Sequence, residues 1–328
     1  MGDVKISVII PVYNVQDYIL DCLLSVSKQT FKGHLECLIV DDCGQDKSIQ
    51  IAESFIEEYE GKVLFKILKY ACNKGAAGAR NKAIRVAEGD YIFFLDGDDT
   101  LPDNALEDLL KPLLAHPESD FSVGIMKPTR ENVGFDWMVT CLDCLPEYIS
   151  DIVYLKRVIL SRFYLSMTAC NKLLRKSLFE YPNMMFNESI SHEDDHWNFY
   201  LAKYTRSACI VKSVTYNYLI REGSKSQAFN QEKSDIDYLR ICSDWSMNID
   251  DMCREQQVNL IISLLLPIYF FSSNKGSRAE SRNILFSTFK HCTFTRKIML
   301  VILRYVPCAV FHKMRLINVV MKMFEYKI

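Results

Sequence analysis

Over the first 115 residues, short apolar runs alternate with amphipathic stretches. The runs at 6–10, 35–40, 63–68 and 90–95 are nearly continuous in branched and aromatic side chains, the pattern of strands buried on both faces. Helical periodicity follows each of them, at 15–28, from about 48 to Tyr59, at 75–87 and at 104–115. Asp46 or Ser48 is placed to cap the second of these helices, and the fourth starts just after Pro102. Such alternation predicts a mostly parallel sheet covered on both faces by helices. After Gly124 the rhythm breaks into loops rich in Pro, Asn and Cys, with helical pieces such as 151–163. From Tyr238 onward the pattern is mostly helical, and no internal repeat or long linker marks a boundary.

The fourth run ends in Leu95-Asp96-Gly97-Asp98-Asp99, three carboxylates around one glycine. Burying such a cluster unpaired is very costly, so it needs a cation or an open cleft. The carboxyl ends of parallel strands are where ligands bind in sheets of this kind. A divalent cation held by one or two carboxylates together with substrate phosphates is the usual mode for Mg²⁺. A plain surface turn after a core strand is the competing reading of the same residues.

Three more loops follow predicted strands and belong at the same sheet edge: Pro11-Val12-Tyr13-Asn14, the segment from Asp41-Asp42 to Asp46, and Asn73-Lys74-Gly75 through Arg80-Asn81. Acidic side chains there can bind a base edge or ribose hydroxyls. Glycine permits close backbone approach, and Arg80 offers a planar fork to phosphate or carboxylate. Each loop alone reads equally well as a structural turn; together they predict one crevice.

Composition changes the picture in two ways. The 12 cysteines are scattered, and Cys141-Leu142-Asp143-Cys144 has no second pair to complete a zinc ribbon. With the first apolar run too short for a secretory signal, free thiols in a cytoplasmic setting are expected. The net charge of −2 hides a basic tail, in which residues 272–328 carry 11 Lys or Arg against Glu280 and Glu325 alone. The apolar stretches at 258–271 and 298–311, broken by Pro267, Arg304 and Pro307, are too short to span a bilayer. They fit either a peripheral segment on the anionic inner face of the membrane or a packed helical cap. Nucleic acid is disfavoured, because the acidic remainder would be repelled by phosphate.

These motifs, in order, resemble family-2 glycosyltransferases of the glycosyltransferase A-type fold. The resemblance runs from Ser7-Val8-Ile9-Ile10-Pro11-Val12-Tyr13-Asn14 and Gln29-Thr30-Phe31 through Val40-Asp41-Asp42, Asn73-x-Gly75 with Ala79-Arg80-Asn81, and Phe94 to Asp99. It continues in Asn171-Lys172-Leu173-Leu174-Arg175, Glu193-Asp194, Tyr216-x-Tyr218 and Arg221-x-Gly223-Ser224-x-Ser226. By this resemblance the chain is an inverting enzyme of bacterial polysaccharide assembly. It would move a sugar from a nucleotide-diphosphate donor, with uridine preferred, to a glycan or lipid-linked hydroxyl, assisted by Mn²⁺ or Mg²⁺. Asp42 and the Pro11–Tyr13 loop would hold base and ribose, with Asp41, Asn73, Gly75 and Arg80 beside them. Asp98 would bind the metal, with Asp96 nearby on the donor; Arg221 and Ser224 would close over the phosphates. Asp194 would be the acceptor-side base, flanked by Glu193. The implied organisation is a catalytic domain over 1–235, its nucleotide-sugar half at 1–125 and its acceptor half at 126–235, then a helical basic extension over 236–328.

The chain departs from the pattern at Cys43-Gly44, where Gly-Ser is common, which introduces a thiol beside the nucleotide loops. His192-Glu193-Asp194-Asp195-His196 also satisfies the His-Glu-x-x-His pattern of zinc peptidases. Its Asp-Asp centre suits a buried metallopeptidase helix poorly, the loop-like residues before it make it a helix start, and above all it falls where the family's Glu-Asp belongs. An inert nucleotide-sugar binding module is the other alternative; the intact Asp96, Asp98 and Asp194 argue for catalysis.

Overall fold

A computed structural model of the chain describes residues 4–129, 141–161, 163–221 and 230–292. The described residues within Met1–Leu155, Arg162–Ser189 and Glu193–Glu222 form one compact unit; those within Lys156–Ser161, Ile190–His192 and Gly223–Ile328 form a second.

In the first unit β1 (Lys5–Val12), α1 (Ile19–Ser27), β2 (His34–Asp41), α2 (Ser48–Glu58), β3 (Leu64–Lys69), α3 (Gly75–Val86), β4 (Tyr91–Phe94) and α4 (Ala105–Ala115) alternate as the pattern predicts. β1 pairs in parallel with β2 and β4, and β2 with β3, so the loops that follow these strands share one edge. All four residues of β4 are buried, as are Ile6, Val8, Ile9 and Ile10 of β1. Burial of that kind contributes on the order of 1.5–3 kcal/mol per large apolar side chain.

Helix α1 starts later than expected, whereas α2 starts at Ser48 as expected. Helix α1 begins at Ile19 because Val15–Tyr18 forms a turn, with Val15 O accepting the N–H groups of Tyr18 and Ile19. Helix α2 has Lys47 at its cap position with no side-chain cap. Asp46 Oδ1 accepts the Ser48 N–H (3.0 Å), at the start of the helix, and the Ser48 hydroxyl (2.6 Å); its Oδ2 accepts the Gln16 N–H (2.8 Å), while Ser48 Oγ accepts the Val15 N–H (2.9 Å). Both candidate caps are used to pin the loop after β1 to the loop after β2.

Four further strands lie where the sequence shows loops or helical pieces: β5 (Phe121–Pro128), β6 (Tyr148–Ile149), β7 (Lys172–Arg175) and β8 (Ala208–Tyr218). Among the described residues they complete an eight-stranded sheet of order β3-β2-β1-β4-β7-β5-β8-β6. Strand β7 has four residues, yet runs antiparallel between β4 and β5, where its pairing defines the sheet's turn from parallel to mixed. β5 and β8 are parallel, with a register shift between Val123 and Ile125. Gly124 sits at that irregularity. A Cβ there would lie 2.2 Å from Thr215 Oγ1 and 2.7 Å from its methyl. Thr215 Oγ1 donates to Asn171 Oδ1 (2.5 Å), and Asn171 Nδ2 donates to Gly124 O (2.6 Å), which laces β5 and β8 to the residue before β7. Helices α5 (Ile152–Leu160) and α6 (Glu193–Tyr204) complete the elements that precede β8.

The second unit contains α7 (Gln231–Met247), α8 (Arg254–Phe271) and α9 (Lys275–Ser287). Helix α8 buries Leu260, Ile261, Ile262, Leu265 and Leu266, so most of the apolar stretch at 258–271 is packed, while Phe271 at its end is 59% exposed. The stretch at 298–311 and most of the basic tail lie outside the described residues, among which no helix is long and apolar enough to cross a membrane.

The space at Gly124 gives a direct check on the sheet. Gly124→Ala drives a methyl into Thr215 and should cost about 1–3 kcal/mol, the range for overpacking, read as a fall in the urea unfolding midpoint. An unchanged midpoint would mean that β5 and β8 can part without loss.

Candidate active site

The loops after β1, β2 and β3 are tied together by polar side chains of the chain itself. Asn14, at φ 53°, accepts the Gln45 N–H through Oδ1 (2.8 Å). Asp41 Oδ1 accepts the N–H of Cys43 (2.9 Å), itself at φ 59° with its thiol donated to Tyr70 O. Asp42 is buried, and its Oδ1 accepts the Lys74 N–H (2.6 Å) while Asn73 Nδ2 donates to its carbonyl (3.0 Å). Asn73 Oδ1 accepts the N–H of Gly75, which opens α3 at φ 74° with nothing within 4 Å of where a Cβ would stand. That open space beside a left-handed glycine permits a close approach to the backbone. Pro11 is half-buried and the Tyr13 ring is exposed at the rim.

The fourth loop meets the first at Gly97, where a Cβ would stand 3.2 Å from both Pro11 O and the Val15 side chain. Its three acids have different fates. Asp96 Oδ1 takes a bond from Arg80 Nη2 (3.2 Å). Asp98 Oδ2 accepts from Arg221 Nε (2.7 Å), whose guanidinium lies 5.1 Å from the Tyr18 ring centre. Asp99 is 1% exposed. Burial, reinforced by Asp96, pushes its carboxyl up to about 8, against the opposing donors Leu219 N–H and Tyr216 OH.

Arg80 is the centre of the cluster. Its side chain is 3% exposed, between the Phe94 and Phe186 rings at 5.9 and 5.2 Å. Nη1 reaches Asp194 Oδ1 at 3.0 Å and Glu193 Oε1 at 3.5 Å, and Nη2 reaches Asp96. One cation therefore joins the end of β4 to the first turn of α6, where the helix dipole also favours the carboxylates. The fork that sequence reasoning offers to phosphate or carboxylate is occupied by carboxylates of this chain. Burial raises the Asp194 pKa, while Arg80, and to a lesser degree Lys172, pull it back; the net shift is upward. The Asp194 side chain keeps 29% of its surface accessible, so this carboxylate can be reached. Ser224 lies outside the described residues.

Three contributors carry no role in the sequence reading. Tyr216 is buried beneath the acids, its hydroxyl 3.1 Å from the Asp96 N–H. Cys170 is buried near Arg80, Asp96 and Asp194. Lys172 is fully buried with Nζ donating to Ser166 O (2.9 Å) and Thr168 O (2.5 Å), and burial lowers its pKa to about 8, opposed by Asp194. The signal in the sequence was a lysine opening the four-residue strand Lys172-Leu173-Leu174-Arg175.

The His-Glu-x-x-His motif opens α6, as the loop-like residues before it predict. His192 precedes the helix, stacked on Tyr238 at 4.3 Å with Nε2 2.9 Å from Ser234 Oγ. His196 is buried within α6, its ring 5.2 Å from that of Tyr200. Among the described residues no three His, Cys, Asp or Glu side chains are grouped to hold a metal ion. A zinc cage is thereby unsupported. Mn²⁺ or Mg²⁺ makes a smaller demand, one or two carboxylates with phosphate oxygens supplying the rest. Asp98 and Asp96, with 20% and 38% of their side chains exposed, fit that donor set.

Comparison with known proteins bears on the family and the fold. Residues 7–181 match the model of the family described as Glycosyl transferase family 2. Glycosyltransferase GlyA of Streptococcus pneumoniae is 28% identical over 234 residues, 70% of this chain and 32% of GlyA. Poly(ribitol-phosphate) beta-N-acetylglucosaminyltransferase TarS of Staphylococcus aureus is 40% identical over 106 residues, 32% of this chain and 18% of TarS. The chain thus spans a third or less of these two curated relatives. The crystal structure of TarS 1–349 in complex with UDP-GlcNAc matches with a TM-score of 0.70 at 21% identity, over 98% of this chain and 90% of that one. Mannosyltransferase PcManGT of Pyrobaculum calidifontis, in complex with GDP-Man and Mn²⁺, matches with a TM-score of 0.56 at 15% identity, over 99% and 88%. These likenesses show the expected glycosyltransferase A-type fold.

Arg80→Ala would leave Asp96, Glu193 and Asp194 without their common counter-charge. A loss of about 3–5 kcal/mol is expected, the cost of breaking a buried ion pair, measured by urea unfolding. Wild-type stability in this variant would show that the three acids do not need the arginine.

Proposed function

The chain belongs to glycosyl transferase family 2, and we propose that it transfers a sugar from a nucleotide-diphosphate donor, with uridine preferred, to a glycan or lipid-linked hydroxyl with inversion. The observation that carries this reading is the Arg80 bridge. It brings the donor-side Asp96 and the acceptor-side Asp194 onto one guanidinium, 16 and 114 residues away in sequence.

The loops after β1, β2 and β3 take the nucleoside, with Tyr13 at the rim and the Asp41–Asp42 and Asn73–Gly75 backbone as its walls. Asp194 accepts the proton of the acceptor hydroxyl as that oxygen attacks the anomeric carbon from the face opposite the diphosphate. Its elevated pKa suits the task, since a base works best when its pKa approaches the operating pH. Arg80 keeps it oriented and ionised. Arg221 holds a positive charge beside Asp98, available to the departing diphosphate. Asp98, with Asp96 beside it, would hold a Mn²⁺ or Mg²⁺ ion, which supplies Lewis-acid stabilisation to the leaving group.

A thermal-shift screen of nucleotide sugars, with and without Mn²⁺, tests the donor assignment, because a ligand that binds only the folded state must raise its apparent stability. A UDP-sugar should raise the melting temperature more with Mn²⁺ present, and Asp98→Ala should remove the metal-dependent part. Absence of any shift across UDP-, GDP- and dTDP-sugars would count against the reading.

Asp194→Asn should lower turnover by roughly 10²-fold or more, the scale of general-base catalysis, with donor affinity retained. In the unsubstituted protein kcat/KM should rise with pH as Asp194 deprotonates. The midpoint should lie above the ordinary carboxylate range because burial disfavours the charged form. In Asp194→Asn that acid limb should vanish. Collapse of donor affinity instead would reassign Asp194 as a donor ligand.

A further inference from the structure

The third acid of the Asp96-Gly97-Asp98-Asp99 turn faces away from the crevice. Asp99 is buried, and both its oxygens are occupied by donors from β8 and the residues after it. Tyr216 Oη donates to Oδ2 at 2.7 Å, and the Leu219 N–H donates to Oδ1 at 2.6 Å. The Tyr216 hydroxyl in turn accepts the Asp96 N–H at 3.1 Å. Next to this buried knot, Thr100 and Asn217 exchange backbone bonds of 3.2 and 2.9 Å. The β4 turn is thus fastened to the segment 216–221 at three positions, Asp96, Asp99 and Thr100. The two side chains proposed to meet the diphosphate hang from opposite sides of that fastening. Asp98 is one residue before Asp99, and Arg221 is two residues after Leu219, paired with Asp98 at 2.7 Å.

We propose that Asp99 is a positioning residue that acts through Tyr216 and Leu219 to set Asp98 and Arg221 in fixed register for the donor diphosphate. This rests on the transferase reading above. The fold supplies the reason for a carboxylate at this place. Two donors from one strand end must be held by a single rigid acceptor on the facing turn, and a carboxylate has two acceptor oxygens with no donor of its own. An apolar residue would leave the Leu219 N–H and the Tyr216 O–H without an acceptor. The segment carrying Arg221 would then lose its anchor two residues from the guanidinium. A displacement of about 1 Å in such a site can cost on the order of 10²-fold in rate.

The test uses the full chain with uridine diphosphate and Mn²⁺ as the calorimetric probe, alongside turnover on the UDP-sugar that the screen identifies. Tyr216→Phe keeps the ring and removes only the hydroxyl. Asp99→Asn keeps an acceptor for Leu219, so it should be milder than Asp99→Ala. With circular dichroism unchanged, Tyr216→Phe and Asp99→Asn should bind UDP–Mn²⁺ about 10-fold more weakly and turn over about 10- to 100-fold more slowly, within the cost of a 1 Å displacement. A structural role alone would add its loss independently of Arg221. Positioning predicts instead that Asp99→Asn costs little further affinity once Arg221→Ala is present, the signature of residues acting through one another. Full additivity, or unchanged UDP affinity in Tyr216→Phe and Asp99→Asn, overturns the inference and leaves the transferase reading intact. Failure of the unsubstituted protein to bind either UDP or GDP with Mn²⁺ overturns both.

Discussion

Like charges cannot be gathered at the end of a buried strand unless something neutralises them, and in this protein the buried guanidinium of Arg80 does so. It sits between two aromatic rings, where an uncompensated cation would be strongly disfavoured, and it contacts three carboxylates that would otherwise repel one another. Each side makes the other tolerable. Because the acids come from the turn after β4 and from α6, the same interaction fixes a helix that begins at Glu193, far later in the chain, against the turn of the Asp-rich loop. Remove the charge balance and the crevice loses both its electrostatics and its geometry.

A second set of polar contacts does comparable work at the nucleotide end. Asp41, Asp42, Asn73, Asn14 and Asp46 spend much of their hydrogen-bonding capacity on backbone N–H groups of their own and neighbouring loops. Loops that carry function are ordinarily the mobile part of a fold. Here they are cross-tied before any ligand arrives, so little ordering remains to be done at binding. The left-handed backbone at Asn14, Cys43 and Gly75 belongs to the same arrangement, since it turns successive loops toward one edge. Cys43 is the unusual member. A β-carbon at φ 59° carries a steric cost that glycine would avoid, and its thiol bond to Tyr70 O is a local compensation.

The half of the first unit that follows β4 is built differently. A parallel sheet gives way to a mixed one through β7, and β5 and β8 are held by the Asn171–Thr215–Gly124 lacing in addition to their ladder. That arrangement delivers Tyr216 and the residues after it to the Asp-rich turn. Lys172, buried with only carbonyl partners and the field of Asp194 nearby, shows how closely this half is fitted around the acids.

Much of this was legible along the chain. Continuous apolar runs ending in Pro, Asp or Asn determined the parallel half of the sheet and put four polar loops at its carboxyl edge, because strands buried on both faces admit few polar residues until they leave the core. The start of α6 at the Glu193-Asp194 pair was readable for a similar reason, since acids gather where a helix dipole welcomes them. What sequence could not decide was partnership. Whether Arg80 faces a ligand or Asp194, whether Arg221 meets Asp98, whether Asp46 caps a helix or ties two loops, and whether four residues at Lys172–Arg175 form a strand all depend on groups far off in the chain. Hydrophobic periodicity is a local property, fixed by which face of an element turns inward. Ion pairs, caps and short central strands are chosen by whatever the folded chain brings alongside them, and only the tertiary structure supplies that neighbour.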